Sequence, residues 1–204
     1  IKIGELLSTL DSLIAANQSK LEELKTVKKL AMQKIFDQEW RFKGFTDPWE
    51  QRKLGDITTS YSGGTPKSKN KTFYSGTIPF IRSGEISSNF TKLFVTNEAI
   101  ENSSAKYVKK GQLLFALYGA TSGEAAISKI NGVINQAVLA INFNGNVYFL
   151  LTFLKNKKID ILKTYLQGGQ GNLSGDIFKK LVITIPKISE QEHIGIFFKT
   201  IDSL

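Results

Sequence analysis

The chain has 204 residues, of which 41% are hydrophobic and 22% charged, with no cysteine and a single histidine, His193. One domain with room for an appendage fits that length, while wholesale disorder, a disulfide scaffold and thiolate metal sites are excluded, and one histidine leaves histidine-based metal clusters and Ser-His triads almost no material. The net charge is +9, and residues 49–193 hold eighteen basic and ten acidic groups, so the middle of the chain carries +8 of it.

A basic middle region suits a polyanionic partner, although a lysine-rich surface alone gives the same count. Only Arg41, Arg52 and Arg82 are arginines. No apolar run approaches the roughly 18 residues of a membrane span, so no membrane role is expected and a reducing cytoplasm is the expected setting.

Residues 1–36 read as one helix. With heptad position d at Ile3, Leu10, Asn17, Leu24 and Ala31, and position a at Leu7, Ile14, Leu21, Lys28 and Ile35, eight of the ten seam positions are apolar. Such a helix is roughly 50 Å long, too long to fold back onto its own globule. Its stripe needs a partner helix, and Leu7, Leu10, Ile14, Asn17, Leu21 and Leu24 are the expected interface, with Asn17 setting register. Without another partner, two copies of the chain are expected to pair through this helix as a homodimer.

Residues 37–48 form a connector whose aromatics, Trp40, Phe42 and Phe45, are expected to cap one end of a core. Residues 49–188 then show short mixed elements. Strand-like runs lie at 78–81, 112–117, 137–143 and 181–185, and helical runs at 147–155, 159–166 and 175–180. They do not alternate regularly, so the fold class expected is α+β: a mixed globular domain attached to a long coiled-coil-forming helix. Residues 189–204 begin a second helix, with Ser189 and Glu192 at capping-box spacing.

The end of the chain repeats its beginning. Residues 194–204 align with residues 3–13, with six of eleven positions identical. The repeat predicts a longer parent that alternates globule and long helix, with a further globule before residue 1 and a further helix after residue 204.

Several segments, in this order and spacing, carry a family resemblance: Trp49-Glu50-Gln51-Arg52-Lys53-Leu54-Gly55-Asp56-Ile57, then Ser62-Gly63-Gly64-Thr65-Pro66, then Gly76-Thr77-Ile78-Pro79-Phe80-Ile81, and finally Ile183-Thr184-Ile185-Pro186 before Glu190-Gln191-Glu192-His193-Ile194. Together with the helix and the repeat, they resemble the DNA-specificity subunit of type I restriction–modification systems over nearly the whole chain. The resemblance implies a conserved spacer helix, one target-recognition domain reading half of a split double-stranded DNA site, and the start of the distal helix. It also implies a scaffold for methyltransferase subunits and for restriction–translocase subunits, with no catalysis and no cofactor of its own.

Phosphate contacts position a DNA-binding protein and base contacts specify its site. The first are expected from the loop holding Lys67, Lys69 and Lys71. Base reading is expected from Arg82, whose fork suits guanine, from Tyr118 at a turn, and from the amides Gln167, Gln170 and Asn172, which suit adenine edges. Each has a plain alternative: a solvated loop, a core-edge tyrosine, a Gly-rich turn before a helix capped by Ser174. No phosphate-binding NTPase loop, dinucleotide fingerprint or catalytic constellation is present in the sequence. Two other function classes stay open: a structural coiled-coil protein whose basic globule reads no DNA, and a nuclease or methyltransferase with a degenerate site. Selection from random duplexes separates the first from a DNA reader, and turnover with a metal or methyl donor would reveal the second.

Overall fold

In the computed structural model, which describes residues 2–166 and 172–204, the chain is a rod joined to a layered α+β domain. The rod is α1 (Lys2–Phe36), ~52 Å long at 1.5 Å per residue. Residues 2–23 are all exposed, and burial begins only near the C-terminal end, where Ala31, Ile35 and Phe36 enter the core. No Gly or Pro falls between Gly4 and Phe36, so nothing breaks the helix until Gln38 takes a left-handed φ of 60°.

Among the described residues, ten strands and five further helices follow: β1 (Glu50–Lys53), α2 (Leu54–Ile57), β2 (Thr58–Ser62), β3 (Ile78–Ile81), β4 (Phe94–Val95), α3 (Asn97–Glu101), β5 (Lys106–Val108), β6 (Leu113–Ala116), β7 (Ala125–Ile127), β8 (Gly132–Ile134), β9 (Val138–Phe143), α4 (Val147–Leu166), α5 (Gly175–Lys180), β10 (Val182–Ile185) and α6 (Ile188–Ile201). Short 3₁₀ turns lie at Lys71–Tyr74 and Ser83–Glu85. One sheet has the order β2-β9-β6-β7 and is antiparallel; the other has the order β4-β3-β8-β5, with β3 and β8 parallel. A separate antiparallel ribbon joins β1 to β10.

Successive residues of a strand face opposite ways, and this alternation builds the layers. In β6, Leu113 and Phe115 face a large cluster with α4, α6 and the end of α1, while Leu114 and Ala116 face the second sheet. In β9, Leu139 and Ile141 join the helices, and Val138 and Ala140 join the sheet interface. Ala116 and Ala140 place small side chains in the contact between the two sheets. Beyond the second sheet, Phe80 and Val133 pack with Phe73, Val95 and Ala99. Because β6 is buried on both faces, it reads in the sequence as an unbroken apolar run.

Three expectations need amendment. The two helices expected at 147–155 and 159–166 are one helix, α4. Nothing in Asn156-Lys157-Lys158 breaks a helix, and Lys157 and Lys158 turn outward to Asp37 and Glu124. The capping box at Ser189 does not form: α6 starts at Ile188 with Lys187 at its cap and no side-chain cap bond. Ser189 lies within the first turn, where its carbonyl oxygen is 2.8 Å from His193 Nδ1. Glu190 instead turns into the core, where Arg41 and Trp49 hold it. Of the connector aromatics, Phe42 packs on Phe197 and Phe45 on His193, but Trp40 is half exposed.

Candidate nucleic-acid interface

The parallel pairing of β3 with β8 brings their C-terminal ends together, so Arg82 after β3 and Asn135 after β8 share one end of the domain. The same end receives Tyr118 just past β6, because the Leu117 N–H donates to the Ala137 carbonyl at 2.8 Å. It also receives Asn172, which is exposed, because the N–H of the next residue, Leu173, donates to the Leu117 carbonyl at 3.0 Å. Arg82, Tyr118, Asn135, Phe90 and Lys92 line one groove of about 590 Å³.

The base of the lysine loop borders this groove. Gly63 fits flush against β8: a Cβ there would sit 1.8 Å from the Ile134 carbonyl oxygen, which no side chain tolerates. Two residues on, the Thr65 hydroxyl donates to the Gln136 side-chain oxygen at 2.5 Å, beside the groove-lining Asn135. From there Pro66 is pinned by the Tyr74 hydroxyl, and Asn70 caps the 3₁₀ turn by accepting from the Thr72 N–H at 3.2 Å. Lys67, Lys69 and Lys71 all project into solvent, and none has a carboxylate within 4.0 Å among the described residues.

Two further groups of lysines close in sequence, Lys106 with Lys109 and Lys110, and Lys157 with Lys158, do not add to this loop. Lys106 stands opposite Ile134, at the groove end of β5, while Lys109 and Lys110 lie past the strand's other end. Lys157 and Lys158 are engaged in ion pairs on α4.

Arg82 is held by Glu85. Its Nε donates to Oε2 at 3.2 Å and its Nη2 to Oε1 at 3.1 Å, while the N–H groups of Arg82 and Lys92 donate to the same carboxylate at 3.3 and 3.1 Å. Burial pushes the Glu85 pKa up, but the Arg82 guanidinium and the two backbone N–H groups pull it further down, to about 2. A depressed carboxylate contributes stability that is fully present above its ordinary value of 4.5 and is lost as pH falls toward about 2. Over that window the unfolding free energy of the natural chain is expected to fall more steeply than that of Glu85→Gln, measured by urea titration at a series of pH values. Parallel slopes for the two chains would contradict the ion pair's contribution.

Tyr118 is half-buried at the edge of the main core. Gln167 and Gln170 lie outside the described residues. Phe90, 65% exposed on the groove, and Lys92 carry no sequence signal, since a lone aromatic or lysine in a loop is indistinguishable from its neighbours until β3 and β4 are paired. Among the described residues no group of three His, Asp or Glu side chains could hold a metal ion, and no helix is long and apolar enough to cross a membrane.

Along the rod, Ile3, Leu6, Leu7, Leu10, Leu13 and Ile14 are each 45–75% exposed, and Leu21 is 51% exposed. Asn17 is exposed and Leu24 half-buried. At its other end α1 meets α6 antiparallel: Phe36 stacks on Phe198 at 6.4 Å, and Lys28 pairs with Asp202.

A family model, the type I restriction modification DNA specificity domain, matches residues 46–204. The chain belongs to this type I specificity family. Among curated relatives of this type I specificity domain, the EcoR124I/EcoR124II specificity subunit of a type I restriction enzyme from Escherichia coli is 27% identical over 214 residues, covering 98% of this chain and 52% of the relative. The MjaIX specificity subunit from Methanocaldococcus jannaschii is 26% identical over 167 residues, covering 76% of this chain and 38% of the relative. The chain thus spans about half the length, or less, of the curated relatives it matches. Among solved structures, the S subunit of a type I restriction–modification system from M. genitalium superposes with a TM-score of 0.72 at 17% identity, covering 98% of this chain and 52% of that one. An HsdS subunit from Thermoanaerobacter tengcongensis gives 0.66 at 16% identity, covering 99% and 49%. At such identities the superpositions speak for the fold alone, over nearly the whole of this chain.

Proposed function

We propose that this specificity domain reads one half of a bipartite double-stranded DNA target, within a specificity subunit that positions methyltransferase and restriction subunits. Residues 1–36 act as the spacer, 37–48 as the connector, 49–188 as the target-recognition domain and 189–204 as the start of the second spacer helix. The observation that carries the reading is the convergence of Arg82, Tyr118, Asn135 and Asn172 at one end of the two sheets, beside a triply positive loop whose lysines have no carboxylate within 4.0 Å among the described residues. Lys67, Lys69 and Lys71 hold the phosphate backbone, and the groove residues, together with Gln167 and Gln170, meet base edges. The spacer makes a half-site separation into a length of protein, as dimer geometry does for other DNA readers. The domain itself performs no chemistry; any base extraction and methylation fall to the partner subunits, which bear its cost of a few kcal/mol. In a chain lacking another partner helix, a second copy covers the α1 stripe.

Selection from random duplexes by the assembled parent complex tests this reading. Enrichment of a short motif split by a fixed gap is expected, whereas an unenriched pool would refute DNA reading. Methyl transfer or strand cleavage by the chain alone, given a methyl donor or a divalent metal, would refute the non-catalytic assignment. Replacing Lys67, Lys69 and Lys71 together by alanine is expected to weaken binding to all sequences alike. It should also flatten the dependence of log K on log salt by roughly one unit per lost phosphate contact, or about three in all. An unchanged slope would remove the loop from the interface.

A further inference from the structure

Arg82 is the one arginine on the proposed reading groove, and the way it is held is specific. Glu85 takes the Nε–Nη2 edge of the guanidinium side-on. The other edge, formed by Nη1 and the second Nη2 hydrogen, has no protein partner among the described residues, and the side chain is 42% exposed. That edge is a planar two-donor fork of the kind that matches guanine O6 and N7.

Glu85 is fixed in turn. Its side chain is only 13% exposed and receives four N–H groups, two on each oxygen. The buried Thr91 hydroxyl, donating to the Phe80 carbonyl at 2.8 Å, packs 3.2 Å from Oε2. With both oxygens filled, the carboxylate has little left to offer a base. A long, flexible side chain is thereby held in one orientation at the lip of the groove.

We propose that Glu85 is a positioning residue for DNA reading, holding Arg82 so that its open fork discriminates guanine at one base pair of the half-site. This rests on the proposed function above and deepens it: Arg82 becomes a preset reader, and Glu85 acts only through it. The plain alternative is that Glu85 merely closes the 3₁₀ turn at Ser83–Glu85.

A double-mutant cycle in the assembled parent complex separates the two. The selected duplex and its three single-base variants at each position are bound by the natural protein, Arg82→Ala, Arg82→Lys, Glu85→Gln and the Arg82→Ala/Glu85→Gln double variant. Discrimination for guanine is expected to fall about tenfold at one and the same base pair in each single variant. Arg82→Lys, which keeps the charge without the fork, should retain overall affinity and still lose that preference. The double variant should lose no more than Arg82→Ala. If Glu85→Gln lowers binding to every sequence equally, or still lowers it in the Arg82→Ala background, its role is structural and the proposal fails. If Arg82→Ala leaves every preference unchanged and only flattens the salt dependence, Arg82 holds a phosphate and the proposal also fails. If the natural protein enriches no motif at all, the failure lies with the proposed function, not with Glu85.

Discussion

Replacing Glu190 by alanine is expected to lower the unfolding free energy of the domain by about 3–5 kcal/mol, the range for removing one partner of a buried charge pair. Glu190 lies in the first turn of α6 with its side chain 3% exposed. Arg41 donates to it through Nε at 2.9 Å and Nη2 at 2.7 Å, and Trp49 donates its indole N–H at 3.1 Å. One carboxylate therefore ties the final helix to the connector and to the first residue after it. Truncation would leave a guanidinium with only 19% exposure and an indole N–H without a partner, and the cost comes from those orphans rather than from the net worth of the pair. Glu190→Gln, which can still accept from Trp49, should cost less. Urea unfolding followed by tryptophan fluorescence reads both, and a loss below about 1 kcal/mol for alanine would show that water replaces the carboxylate freely.

Substituting lysine for Leu10 and Ile14 together is expected to abolish pairing of the chain through α1. The two side chains are 45% and 54% exposed and lie on the protruding part of the rod, away from the domain core. Burial of a leucine or isoleucine side chain contributes about 1.5–3 kcal/mol when complete. A symmetric pair loses four such contacts and gains four charges in its seam. Four complete burials would total about 6–12 kcal/mol, so a weakening of at least a hundredfold, about 2.7 kcal/mol, is a lower bound for side chains that are only part-covered. Sedimentation should show the natural chain associating and the variant monomeric at the same concentration, with the unfolding midpoint of the domain unchanged. A natural chain that stays monomeric at high concentration, or a variant that still pairs, would sink the assignment of a second copy as the stripe's cover.

The parts of the fold visible in the sequence are those with local causes. α1 announces itself through a heptad pattern apolar at eight of ten seam positions, β6 and β9 through apolar runs, and α5 through Ser174, whose hydroxyl accepts from the Ile177 N–H at 3.2 Å. β1 announces nothing. Its residues Glu50–Lys53 are all exposed, and only pairing with β10, some 130 residues later, makes them a strand. The capping box at Ser189 does not form although local spacing favours it: α6 starts at Ile188, and the first-turn carboxylate held by Arg41 and Trp49, from far along the chain, is Glu190 rather than Glu192. In the candidate interface, Lys67, Lys69, Lys71 and Arg82 stand out by composition alone. Phe90 and Lys92 do not, because their place on the groove depends on β4 lying beside β3.

By itself, then, the order of residues determined a rod, a basic α+β globule and a family resemblance, since periodicity, charge and short turns depend on neighbours within a few positions. Only tertiary structure decided which side chains share an end of the sheets. The parallel register of β3 on β8 places Arg82 beside Asn135, and strand pairing over more than fifty residues has no local signature.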